Sequence, residues 1–70
     1  MAAAALQYNS YSGQMTVIRK FSDHGRLQRE LRTVPIDVLR RIGDSDVDHL
    51  IDRALMFPGR EHSIQKGIRL

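Results

Sequence analysis

Four aspartates, Asp44, Asp46, Asp48 and Asp52, stand at the first, third, fifth and ninth positions of a calcium-binding loop. The pattern breaks where the chemistry needs it most. His49 takes the place of the glycine that makes the loop's sharp turn, and Leu55 takes the place of the bidentate glutamate that closes the site. The same carboxylates suit the first turns of an amphipathic helix, where the positive end of the helix dipole favours acids. The expectation is therefore a capped helix with an acidic outer face and no bound metal. His24, His49 and His62 are too widely spaced for a local metal motif, and no cysteine is present to complete one. Disulfides, thiolate zinc sites and thiol catalysis are excluded on the same ground. The chain carries no nucleophile elbow, phosphate loop or spaced acid–base pair, so neither an enzyme nor a cofactor is expected.

The other residues with chemical reach are arginines, nine of the eleven cations in a chain of net charge +3. At helical spacing Arg26, Arg29 and Arg32 share one face, with Arg40 and Arg41 following close behind. A guanidinium offers a planar fork to phosphate and stacks on unpaired bases, which points to RNA. The plainer reading is a solvated face with Arg26 and Glu30 paired one turn apart. Aromatic side chains for stacking are few: Tyr8, Tyr11, Phe21 and Phe57. A second candidate surface lies on the helix expected over residues 46–57. There Asp48, His49, Asp52, Arg53 and Met56 would form a protein-binding face; Met56 projects away from the core arc, either as an adaptable contact for a partner or beneath the C-terminal segment.

These side chains need elements to position them, and the spacing of apolar residues predicts an all-α fold. Helices are expected at about 22–33, 35–42 and 46–57. Leu27, Leu31 and Val34 line the first, Ile36, Leu39 and Ile42 the second, and Val47, Leu50, Ile51, Ala54 and Leu55 the third. Ser22 or Asp23 would cap the first helix. Pro35 opens the second and Gly43 ends it, and Ser45 caps the third. Residues 1–14 read as a flexible tail without core residues, residues 15–58 as the helical domain, and residues 59–70 as a tail or short docking helix. The longest apolar runs are too short to cross a bilayer, so no membrane partner is expected.

Charge is unevenly placed. Residues 15–43 hold seven cations and three anions, residues 44–52 hold four aspartates and no cation, and residues 53–70 hold four cations and one anion. The acidic block would occupy the leading half of a would-be recognition helix, so phosphate repulsion argues against sequence-specific DNA binding. The stretch Arg29-Glu30-Leu31, Leu39, Ile42-Gly43 and Ser45 resembles the small arginine-rich YjiS-like family of bacteria, departing from it at Asp44 and Asp46. That resemblance implies a bacterial cytoplasmic regulator using Arg26, Arg29, Arg32, Arg40 and Arg41 to contact RNA or an RNA-processing partner. Two functions are thus expected: RNA binding through the arginines, or a protein-interaction module, such as an adaptor or small inhibitor. The second would use the third helix or a second copy of the chain, because so small a core gains from a partner.

Overall fold

The structure, a computed structural model, describes residues 3–70. It overturns the all-α expectation. The chain runs β1 (Ala3–Asn9), β2 (Gln14–Asp23), β3 (Arg26–Val34), α1 (Ile36–Arg40), α2 (Ser45–Met56) and β4 (His62–Ile64). The strands form one antiparallel sheet in the order β3-β2-β1-β4. The helix expected at 22–33 does not exist; those residues are the end of β2 and nearly all of β3. The flexible tail is likewise corrected. Residues 3–9 are an inner strand with neighbours on both sides, and residues 62–64 add a fourth strand beside it. Met1 and Ala2 lie outside the described residues.

Two turns decide the difference. At Asp23-His24-Gly25-Arg26 the chain reverses through two residues of positive φ, His24 at 48° and Gly25 at 75°. This is the mirror-image turn whose twist matches that of paired strands. Gly25, which a helix would carry at a cost, is here the residue the turn requires. Between β1 and β2 the Asn9 side chain accepts hydrogen bonds from the Tyr11 N–H (2.9 Å) and the Ser12 N–H (3.2 Å). The Gly13 N–H closes the loop on the Asn9 carbonyl at 2.8 Å.

Both helices lie against one face of the sheet. That face contributes Ala4, Leu6, Met15, Val17 and Val34, and the helices contribute Leu39, Val47, Leu50, Ile51 and Ala54. Ile68, beyond β4, joins the same core. The α2 residues that pack inward are those at helical spacing, while Leu55, expected with them, is left partly exposed. The cap of α2 is Asp44 rather than Ser45: its carboxylate accepts from the Asp46 and Val47 N–H groups at 2.9 and 3.3 Å.

The opposite face carries no helix, yet Ala5 and Ile18 are fully buried there. Ion pairs span the same face. Glu61, just before β4 on one edge, pairs with Lys20 of β2 (3.9 Å) and with Arg29 of β3 on the other edge. Those side chains must cross over β1 and β2, where Ala5 and Ile18 sit side by side in register.

Candidate functional site

Strand geometry redistributes the candidate arginines. Side chains alternate between faces along a strand, so Arg26 and Arg32 point to the helix-covered side of β3 and Arg29 to the open side. Arg29 is taken up by Glu61. Arg40, at the end of α1, reaches Asp52 at 2.9 Å and Asp48 at 4.0 Å across to α2. Arg41 pairs with Asp37 at 3.2 Å within its own turn. The single arginine face expected from helical spacing is therefore absent, and three of its five members meet carboxylates. Arg32 instead joins Arg19, Glu30 and Arg69 around a shallow hollow of about 340 Å³. Its floor includes Ala4, Val17 and Ile68. Arg19 lies 4.8 Å from the centre of the Phe21 ring and 3.5 Å from Glu30.

The α2 candidates divide in the same way. Asp48 and Asp52 serve Arg40, tying α1 to α2. His49 and Arg53 face an open cleft of about 430 Å³ against Ser63, Gln65 and Lys66. Met56 is not covered by the C-terminal segment, which turns back to form β4, and remains 70% exposed.

The acidic block is bound into the fold. Lys66 sits 2.5 Å from Asp44 and 3.3 Å from Asp46. The Lys66 ammonium, helped by the Val47 and Asp46 N–H donors, holds the Asp44 carboxyl below its usual value against an opposing desolvation. Asp44 in turn raises Lys66, with Asp46 assisting. Among the described residues no group of three or more His, Asp or Glu side chains is placed to hold a metal ion. No helix among them is long and apolar enough to cross a membrane.

The feature that sequence reasoning missed is the free edge of β3. This nine-residue strand pairs with β2 on one side only, and every residue but Val34 is exposed. The two-residue turn makes Asp23 and Arg26 a hydrogen-bonded pair, so even-numbered residues of β3 direct their backbone groups to β2. Leu27, Arg29, Leu31 and Thr33 direct theirs outward. Leu27 and Leu31, expected in a helix core, are 77% and 61% exposed on the open face. The signal for this arrangement is the His24-Gly25 pair, which supplies the two positive-φ residues of the turn and falls inside the helix expected at 22–33.

No family model, curated protein or solved structure matches this chain.

Proposed function

We propose that this chain is a small non-enzymatic protein-interaction module that recruits an extended partner strand to the β3 edge. The observation that carries the reading is the length and openness of that edge: four alternate residues, Leu27, Arg29, Leu31 and Thr33, direct their N–H and C=O groups outward, and two of them are exposed leucines. Such an edge binds strands by main-chain hydrogen bonds and selects them by alternate side chains. RNA binding through the arginines is less well supported, because Arg29, Arg40 and Arg41 are engaged by carboxylates and the remaining two sit near opposite ends of β3.

Proline tests the edge cleanly. Edge strands tolerate it where the N–H faces solvent, so Leu31→Pro removes an outward donor without touching the β2–β3 ladder. The immobilised chain and its Leu31→Pro variant are incubated with cell extract, with and without nuclease. Retention of protein that ignores nuclease and disappears in Leu31→Pro is the expected result. Retention of nucleic acid that nuclease abolishes and Leu31→Pro leaves unchanged would overturn the reading in favour of the arginines.

A further inference from the structure

We infer that the strand filling this edge is β3 of a second copy of the chain, paired antiparallel about Leu31. The inference rests on the reading of β3 as an interaction edge and names its occupant. A two-fold axis normal to the sheet places like-facing residues opposite one another, so each register is defined by its central residue. Centring on Arg29 sets that arginine against its copy and Arg26 against Arg32. Centring on Glu30 sets two glutamates face to face. Centring on Gln28 matches Arg26 with Glu30 but joins only Leu27 and Arg29 at the edge, for about four backbone hydrogen bonds.

Centring on Leu31 sets no like charges face to face and brings opposite charges together. Glu30 of each copy faces Arg32 of the other, twice over, while Arg29 faces Thr33 and Leu31 faces itself. The outward groups of Arg29, Leu31 and Thr33 then make about six backbone hydrogen bonds. The pairing uses residues 28–34, all inside β3, and stops short of both the turn and α1. Glu30 already has Arg19 at 3.5 Å on its β2 side. The second copy's Arg32 would complete a row of alternating sign across the joined sheets. Arg32 has no carboxylate within ion-pair distance among the described residues of its own chain. The exposed Leu31 gains an apolar neighbour on the open face.

Charge reversal reads this register directly. Purified full-length chain is followed by sedimentation velocity over a concentration series, with circular dichroism confirming the fold of each variant. Wild type is expected to populate a dimer. Glu30→Arg or Arg32→Glu each create two like-charge contacts and weaken dimerisation roughly tenfold or more. The double variant Glu30→Arg/Arg32→Glu restores it. Mixing the two single variants also restores a dimer, now a heterodimer, because one copy presents only arginine and the other only glutamate. Leu31→Pro gives a monomer by a route independent of charge. A wild type that stays monomeric, or single reversals that dimerise as well as wild type, would overturn the inference. If the purified chain is monomeric while capture from extract still depends on Leu31, the second copy is refuted and the interaction edge survives. Loss of both refutes both.

Discussion

Asp44 joins two distant parts of the chain through one carboxylate, as cap of α2 and as partner of Lys66. Its folded pKa is lowered, so the stability it contributes is present above the ordinary value of 3.8 and lost as pH falls through the folded value. Lys66 is raised, so its contribution is present below the ordinary 10.5 and lost as pH rises through its higher folded value. Lys66→Met should therefore flatten the acid limb of the melting temperature against pH, with the largest loss near neutrality. Asp44→Asn, which keeps a capping oxygen, should melt above Asp44→Ala. The acids at the start of α2 were legible from the sequence, whereas Lys66 was not, because only the return of the chain through β4 brings it there. His24 is a second local case. It holds φ 48°, a left-handed conformation costly for most side chains and tolerated by asparagine. His24→Asn should stabilise the hairpin by up to about 1 kcal/mol, measured by urea denaturation.

Among the elements, β1 shows where sequence patterning is overruled. Ala2–Leu6 is good helix-forming sequence, and propensity alone favours a helix or a frayed tail. In the fold Ala4 packs beneath the helices and Ala5 is fully buried on the open face, so a larger side chain at either position would have no room. The alanines are small because both faces of β1 are occupied. Since β1 pairs with β2 on one side and β4 on the other, deleting residues 1–9 strands β4 and uncovers α2. The deletion is expected to abolish cooperative unfolding and amide dispersion in NMR spectra; a folded, cooperative truncation would contradict the sheet order. The misreading of β3 has an equally specific cause. Leu27 and Leu31 share a face in either a helix or a strand, so those two residues cannot discriminate. Val34 can: it joins them at a period of 3.6 and falls on the opposite face at a period of 2. It is buried with the helices while both leucines are exposed. In α1 and α2 the spacing of Leu39, Val47, Leu50, Ile51 and Ala54 made the inward face readable, because the helical period that aligns them is local to each segment, although what they pack against is the distant sheet.

At the scale of the whole molecule, the two faces of the sheet are stabilised by different physics. The helix-covered face has a conventional apolar core, whereas the open face combines the buried Ala5 and Ile18 with the Lys20–Glu61–Arg29 ion pairs. Partly exposed ion pairs are worth about 0.2–1 kcal/mol each. Burial of one isoleucine is worth about 1.5–3 kcal/mol, so Ile18 outweighs either ion pair on this face. A core in a chain this short supplies about 3–5 kcal/mol in total. Ile18→Ala should cost about 2–5 kcal/mol, enough to unfold much of the population at room temperature. Leu31→Ala, at an exposed position on the same face and in the neighbouring strand, should change monomer stability by less than about 0.5 kcal/mol. Urea melts at low protein concentration separate the two. Repeating them at high concentration adds a second discriminator, because a chain that self-associates through β3 gains stability by mass action. The midpoint of Ile18→Ala should then rise with concentration, since its edge is intact, while Leu31→Pro should melt at one midpoint throughout. The sheet would thus divide its labour by strand, β1 and β2 holding the fold and β3 holding the partner.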